Sequence, residues 1–183
     1  MKLSCVTLML LMCTVLTSAD STERLRANLI GYEEVPSVST PAHGKFTAVV
    51  ASDEQSITYE LSYGNLLGTV QQSHIHFAQK SVNGSVVIWL CQTATTPAPA
   101  SVAGITPVCP QSGTVVGTIT KANVVAAGTT SQQITAGELG EVIAAIRAGV
   151  AYANIHATPL NPGGEIRGQI RDNVKGDDQD GDR

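Results

Sequence analysis

The chain has few charged residues, few aromatic residues and only one long apolar run, which stands at its start. Charged residues make up 14% of the 183 residues and aromatic residues 4%, and the formal net charge is −4. A negative chain with so few cations is a poor match for a general binder of nucleic acid or of anionic membranes. No second apolar run of membrane-spanning length follows residue 19, so the sequence predicts a protein that does not cross a membrane.

Familiar catalytic motifs are missing as well. The sequence contains no GxSxG, no HExxH and no glycine-rich phosphate-binding loop, and no local pattern places a serine beside a histidine and an acid. These absences favour a protein that is not an enzyme. A hydrolytic enzyme is the third alternative, and it would require a deep pocket beside the histidines described below.

The first nineteen residues are typical of a secretory signal. Lys2 gives a positive start, residues 3–16 are apolar apart from small polar residues, and Thr17-Ser18-Ala19 forms a small-residue cleavage site. The location that follows is secreted and extracellular, or periplasmic in a bacterial host. The predicted organisation is a signal peptide over 1–19, one β domain over 20–172 and a disordered acidic tail over 173–183.

Two cysteines remain once the predicted signal is removed, Cys91 and Cys109. They are the only intramolecular pair possible in that part of the chain, and we expect a disulfide between them in an oxidising compartment. It would close a stretch rich in Thr, Pro and Ala and contribute about 3 kcal/mol in the chain-entropy model. Two unpaired thiols are the alternative, and two sulfurs without a CxxC do not predict a cysteine-type zinc site.

Most of the remaining sequence has a hydrophobic period of two, which predicts β-strands. One segment has helical spacing instead, because Thr135 and Glu138 stand three apart, as in a capping box, and an apolar stripe follows over 139–146. We predict one short helix over about 136–148, packed against an open end or edge of the sheets. The predicted fold is mainly β, with about eight strands.

The most informative polar residues lie on three predicted strands. In His74-Ile75-His76 the two imidazoles share one face, because residues two apart on a strand point the same way. The strands that contain His156 and Glu165 show the same alternation, with alanine and isoleucine on the opposite face. If the three strands belong to one sheet, a single face collects His74, His76, Asn154, His156, Glu165 and Arg167.

This polar face has two interpretations. In the first, the histidines and a Glu165–Arg167 pair satisfy one another and the nearby loop backbone. In the second, three of the histidines bind zinc or copper, the only cofactors that the sequence suggests. His43 lies in a predicted turn and is assigned to the surface, with a role as a fourth ligand as the alternative. The three predicted ligands are His74, His76 and His156.

Three blocks of the sequence together resemble a known family. They are Ala27-Asn-Leu-Ile-Gly-Tyr-Glu-Glu-Val-Pro-Ser-Val38, the triplet His74-Ile75-His76, and residues 149–169 with their Tyr-Ala-Asn-Ile-His and Gly-Gly-Glu-Ile-Arg-Gly-Gln runs. In combination they resemble the CHRD domain, the module named for its occurrence in chordin, over about residues 25–170. Glu34 matches the opening block and is expected to anchor its loop, with metal ligation as the alternative.

The resemblance implies an extracellular, mainly antiparallel, Greek-key-like β sandwich or barrel, comparable with the Cu,Zn superoxide dismutase fold. Dismutase activity is not expected, because the further histidine spacing and bridging ligand of a dinuclear site are not found. A growth-factor antagonist role is not expected either, because the cysteine-rich modules of chordin-like proteins are missing from this sequence.

The sequence therefore predicts a secreted CHRD-like protein that acts as a non-enzymatic binding or structural module. Its partner is expected to be an extracellular protein, a matrix component or a surface. The alternative is a metal-binding protein in which the three histidines hold zinc or copper for a redox or metal-scavenging role.

Overall fold

A computed structural model describes residues 22–128 and 131–173. The predicted signal peptide and residues 174–183 of the predicted tail lie outside the described residues. Within the described ranges, two short 3₁₀ helices, Gly31–Glu33 and Lys121–Asn123, accompany nine strands and two α-helices. The strands are β1 (Arg24–Ile30), β2 (His43–Val50), β3 (Ile57–Gly64), β4 (Thr69–Phe77), β5 (Ser85–Gln92), β6 (Gly113–Ile119), β7 (Ala151–Thr158), β8 (Asn161–Gln169) and β9 (Arg171–Asp172), and the helices are α1 (Ala100–Ala103) and α2 (Leu139–Arg147).

The strands form one antiparallel sheet in the order β5-β4-β7-β8-β1-β2-β3-β6, and β9 pairs with β1. The two end strands, β5 and β6, approach each other. Near this seam the hydroxyl of Tyr59 on β3 donates to the carbonyl of Leu90 on β5 at 2.6 Å. The sheet therefore curls into a nearly closed barrel, and the prediction of a mainly β, antiparallel fold is confirmed.

The barrel interior holds the main hydrophobic core. On β1, β2 and β3 burial alternates residue by residue, as a strand with one face on the core requires. The inward side chains of β4, β7 and β8 complete the same core. Among the largest side chains buried there are Leu25, Leu29, Phe46, Ile57, Leu61, Ile75, Ile88, Leu90 and Ile119.

The predicted helix is present but begins three residues later than expected, at Leu139. Glu138 accepts the backbone N–H of Thr135 at 2.7 Å, which is one half of a capping box. Gly137, however, has a φ of +89°, which an α-helical residue does not adopt. The apolar stripe of α2 is buried and contacts β7 and β9.

The predicted disulfide between Cys91 and Cys109 is confirmed, with 5.0 Å between the two Cα atoms. The loop that it closes contains α1, which the sequence did not predict. The side chain of Gln92 orders this loop, since its amide donates to the carbonyls of Ala103 and Thr106 at 2.7 and 2.9 Å. The loop is too small to form a hydrophobic core of its own, and these hydrogen bonds hold its backbone in place.

Neither α-helix in the described residues has the length and apolar character needed to cross a membrane.

Candidate functional site

The sheet order brings the three polar strands together. β7 lies between β4 and β8, and the register pairs His74 with Asn154 and Asn154 with Arg167. The side chains that point away from the barrel interior therefore form one continuous polar row across the three strands. His156 lies two residues along β7 from Asn154 and adds its imidazole to this row.

This outer face is not solvated, although an outward polar face usually is. The exposed fractions of His74, His76 and His156 are 2%, 8% and 7%. The carbonyl of Gly84, in the loop before β5, lies against His76, and the carbonyl of Pro162, near the start of β8, lies against His156. The three imidazoles, here called the histidine cluster, therefore lie in a second buried layer outside the barrel.

Two members of the cluster are oriented by hydrogen bonds to main-chain carbonyls. His76 Nδ1 lies 2.9 Å from the carbonyl oxygen of Gly84, and His156 Nδ1 lies 2.8 Å from that of Pro162. A carbonyl only accepts, so both Nδ1 atoms carry the proton and both Nε2 atoms keep a lone pair. The amide of Asn154 contacts Nε2 of His156 at 2.8 Å, while Nε2 of His76 has no partner among the described residues.

His74 is the least satisfied member. Neither of its ring nitrogens has a hydrogen-bond partner in the described residues, and the side-chain oxygen of Asn154 is also unpaired. The ring of Trp89, the single tryptophan of the chain, packs edge-on against His74 with 4.3 Å between ring centroids. Buried polar groups are rarely left without a partner. The unpaired atoms of His74, His76 and Asn154 are therefore candidate ligand atoms for a group bound in this layer.

The spacing of the cluster is close to that of a coordination shell. One nitrogen from each imidazole lies within 4.8 Å of the other two. In a tetrahedral site with metal–nitrogen bonds of about 2.0–2.1 Å, ligand nitrogens are about 3.3–3.4 Å apart. Ring rotations that bring the nitrogens together by at most about 1.5 Å would complete the geometry.

The imidazoles are poised in their neutral form. Burial, together with the neighbouring His156 and His76, holds the pKa of His74 well below its usual value. Burial lowers the pKa of His76 to about 4 and also lowers the pKa of His156. Neutral imidazole is the form that binds a metal, so at neutral pH no proton has to leave these rings before coordination.

The predicted Glu165–Arg167 pair is absent, and Arg167 pairs with Glu34 instead. The guanidinium Nε of Arg167 donates to Oε2 of Glu34 at 2.8 Å, and both side chains are buried. Arg167 also donates to the side-chain oxygen of Asn83 at 2.6 Å. Arg167 therefore holds two segments against the sheet. Its ion pair with Glu34, 133 residues away in sequence, holds the segment after β1, and its bond to Asn83 holds the loop before β5.

The carboxylate of Glu165 is used elsewhere. It accepts the hydroxyl of Thr40 at 2.6 Å and the backbone N–H of Leu67 at 2.7 Å. Two loops that are distant in sequence are thus tied to β8. Glu165 and Arg167 lie on the same face of β8, but their side chains bond to different segments of the chain.

Aromatic stacking joins the ion pair to the histidine cluster. The ring of Tyr152 lies parallel to that of His76, with centroids 4.7 Å apart and an interplanar angle of 2°. The guanidinium carbon of Arg167 lies 4.4 Å from the centre of the Tyr152 ring, within the range of a cation–π contact. Arg167, Tyr152 and His76 therefore form one stack, and the guanidinium disfavours protonation of His76.

A glycine makes room for the ion pair. Gly164 has a φ of +132°, and a Cβ there would lie 2.6 Å from Oε1 of Glu34. A side chain at this position would displace the carboxylate as well as strain the backbone. The Gly-Gly step before Glu165 is thereby linked to the position of Glu34.

Some residues of this layer were not singled out from the sequence. Trp89 is one of them, and its contact with His74 follows from the β4–β5 pairing, in which the two residues are opposite each other. Asn83 and Thr40 lie on loops whose approach to the sheet no local pattern indicates. His43 is exposed on β2 and is not part of the histidine cluster.

The fold and this layer define a class of protein, an antiparallel β-barrel module with a buried polar layer of three histidines and a Glu–Arg pair under its loops. The family model of the CHRD domain matches residues 25–170. The chain therefore belongs to the CHRD domain family, and the expected family is confirmed. Comparisons with curated proteins and with solved structures give no significant match.

Proposed function

We propose that this protein is a secreted, non-enzymatic CHRD module in which His74, His76 and His156 bind one zinc or copper ion. The ion has a structural role in this proposal. It cross-links β4 to β7 and, through the hydrogen bonds of His76 and His156, fixes the loop at Gly84 and the start of β8 at Pro162.

The observation that carries the proposal is the convergence of three imidazoles in a buried layer. Nε2 of His76 and both nitrogens of His74 have no hydrogen-bond partner among the described residues, and Nε2 of His156 contacts only the amide of Asn154. A metal-binding histidine commonly donates its other ring N–H to a backbone carbonyl or a carboxylate. His76 and His156 have this arrangement, and His74 has both nitrogens unpaired. The side-chain oxygen of Asn154, buried and unpaired at the same place, is a candidate fourth ligand once the amide turns away from His156.

The closed surroundings favour a structural site over a catalytic one. Structural metal sites are enclosed by protein, whereas catalytic sites keep a position open to substrate. Five surface hollows in the described part of the chain are lined by other residues, without any member of the histidine cluster. Binding of an extracellular partner is therefore assigned to the outer surface of the module.

The extracellular location is supported by three features. The family is one of extracellular modules, the Cys91–Cys109 disulfide fits an oxidising compartment, and residues 1–19 have the pattern of a signal peptide. We expect the secreted chain to begin at Asp20, which N-terminal sequencing of protein from the culture medium checks.

Metal analysis of the purified secreted protein tests the site. The protein is stripped with a chelator, incubated with zinc or copper(II), freed of unbound metal and analysed for ions per chain. We expect about one ion per chain, and a large loss in His76→Ala. His43→Ala is the matched control, because it removes an exposed histidine outside the cluster, and it should keep the ion.

The single tryptophan gives a second readout. Trp89 lies against His74, so copper(II) at the cluster should quench its fluorescence with the same stoichiometry. A metal content that is low and equal in the wild type, His76→Ala and His43→Ala would contradict the proposal. Quenching that is identical in wild type and His76→Ala would do so too.

A further inference from the structure

The outer face of the barrel around β1 concentrates the positive charge of the protein. Eight lysines and arginines occur among the described residues, and five of them surround this face, although the whole chain has a net charge of −4. All five are exposed. They are Arg24, Arg26, Lys45, Lys80 and Arg171, here called the basic surface.

The strand register forces these cations together. Arg26 on β1 is directly opposite Arg171 on β9, and Lys45 on β2 is directly opposite Asn28 on β1. Arg24 lies two residues from Arg26 on the same face of the strand. Like charges placed opposite each other in an antiparallel pair destabilise the sheet, so the protein maintains here an arrangement that a structural role alone does not favour.

Carboxylates neutralise the other arginines but leave much of this surface positive. Arg147 pairs with Glu23 and Glu54, and Arg167 pairs with Glu34. On the basic surface Lys80 pairs with Glu33 at 3.1 Å. For Arg24, Lys45 and Arg171, the described residues offer no ion pair, and these three charges face solvent.

A hollow of about 290 Å³ lies within the basic surface. Arg26, Arg171 and Lys80 line it together with Asn28, Gln169 and Glu33. The amide nitrogen of Gln169 already donates to the carbonyls of Ala78 and Gly149, so its side-chain oxygen and the amide of Asn28 are the groups left for a ligand. Guanidinium groups bind carboxylate and sulfate oxygens through paired N–H donors, and amides can bond to hydroxyl groups. This combination of cations and amides fits a ligand that carries both acidic groups and hydroxyls.

We infer that the basic surface binds an acidic polysaccharide, with the anionic groups on the cations and a sugar unit in the hollow. From Arg24 to Asn28 the exposed side chains extend over about 14 Å of strand, which suits an extended chain better than a single small anion. The inference rests on the extracellular location in the proposed function and is independent of the metal. Carboxylated and sulfated polysaccharides share the required chemistry.

Affinity measurements with immobilised protein test this inference. Heparin is the sulfated probe, polygalacturonate the carboxylated probe and dextran the neutral control, each across a series of salt concentrations. We expect salt-sensitive binding of at least one acidic polysaccharide and none of dextran. Preference between heparin and polygalacturonate identifies which anionic group the surface selects.

Two variants that each remove one exposed cation locate the binding. Arg171→Gln should weaken binding about threefold and reduce the slope of log affinity against log salt by about one, because one fewer counterion is released. Lys121→Gln, on the 3₁₀ helix Lys121–Asn123 that follows β6 and outside the lining of the hollow, should leave both quantities unchanged. Metal content is measured on the same samples, so failure of either proposal is seen separately.

Three results would overturn the inference. One is an absence of binding to both acidic polysaccharides at low salt. Another is an equal loss in Arg171→Gln and Lys121→Gln, which would indicate only an effect of net charge. The third is equal competition by double-stranded DNA of matched charge, which would show that the surface does not select a polysaccharide.

Discussion

The two halves of this barrel use the same strand pattern to different ends. In β1, β2 and β3 one face lies on the core and the other faces solvent, so burial follows the alternation of the sequence. In β4, β7 and β8 the second face is also buried, and it is polar. The difference shows that the loops over the second half, as well as the core, determine where charged and titratable groups are held.

Breaking the buried ion pair should separate the two halves most strongly. Arg167→Leu leaves the carboxylate of Glu34 buried without its partner, which we expect to lower the free energy of unfolding by about 3–5 kcal/mol at neutral pH. Arg24→Leu makes the same change on the solvated face of β1 and should alter stability by less than about 0.5 kcal/mol. Urea unfolding of both variants measures the difference, and equal effects would contradict it.

A smaller effect is expected from adding one methyl group under a loop. A Cβ at Gly84 would meet the backbone carbonyl of Phe77 and lie 2.7 Å from Cβ of Ala78, so Gly84→Ala should cost about 1–3 kcal/mol through overpacking. At Gly64, which ends β3 in the solvated half, a Cβ meets nothing within 4 Å. Thermal unfolding should therefore show a clear loss for Gly84→Ala and little change for Gly64→Ala.

The rank order of these two variants is the critical result. If Gly64→Ala destabilised the protein as much as Gly84→Ala, the close covering of β4 by the loop before β5 would not be the cause.

The weakest of the three effects is a pH dependence that originates in the covered half. Burial lowers the pKa of His76 to about 4, below the ordinary 6.5, so the unfolded chain binds a proton that the folded protein does not. Stability contributed by this group is present above pH 6.5 and is lost as the pH falls toward 4. The expected slope is at most about 1.4 kcal/mol per pH unit for each such histidine.

Urea unfolding of chelator-treated protein between pH 7 and pH 5 measures this slope. His76→Gln should have a shallower slope than the wild type, whatever its absolute stability. His43→Gln is the matched control, because His43 is exposed and outside the cluster. A change of slope that is the same in both variants would refute a specific contribution from His76.

Local sequence patterns predicted much of the fold because they report which residues share a face. The alternation in β1 to β3 and the parity of His74 with His76 depend only on backbone geometry. The spacing of Thr135 and Glu138 predicts too early a start for α2. Gly137 has a positive φ, so the helix cannot begin before it. Helix α1 was missed because four residues inside a disulfide loop give no hydrophobic period.

The contents of the covered layer could be predicted only in part. The alternation of side-chain directions along the strands predicted that the histidines, Asn154, Glu165 and Arg167 share one face. It could not show that other segments of the chain would bury that face. The pairing of Arg167 with Glu34 rather than Glu165 depends on a contact between residues 133 positions apart. No periodicity contains that information, because it arises from the way in which the segment after β1 crosses the finished sheet.

The tyrosines at the barrel seam set the opposite limit to the histidines. Tyr59 and Tyr63 donate to the carbonyls of Leu90 and Pro110, each at 2.6 Å. Burial raises the pKa of both phenols above the ordinary 10.0, that of Tyr63 to about 12. Above pH 10 the unfolded chain therefore loses phenolic protons that the folded protein keeps, which favours unfolding. Protonation of the covered layer lowers stability below pH 6.5 and ionisation of the phenols at the seam lowers it above pH 10, so we expect the fold to be most stable between these two limits.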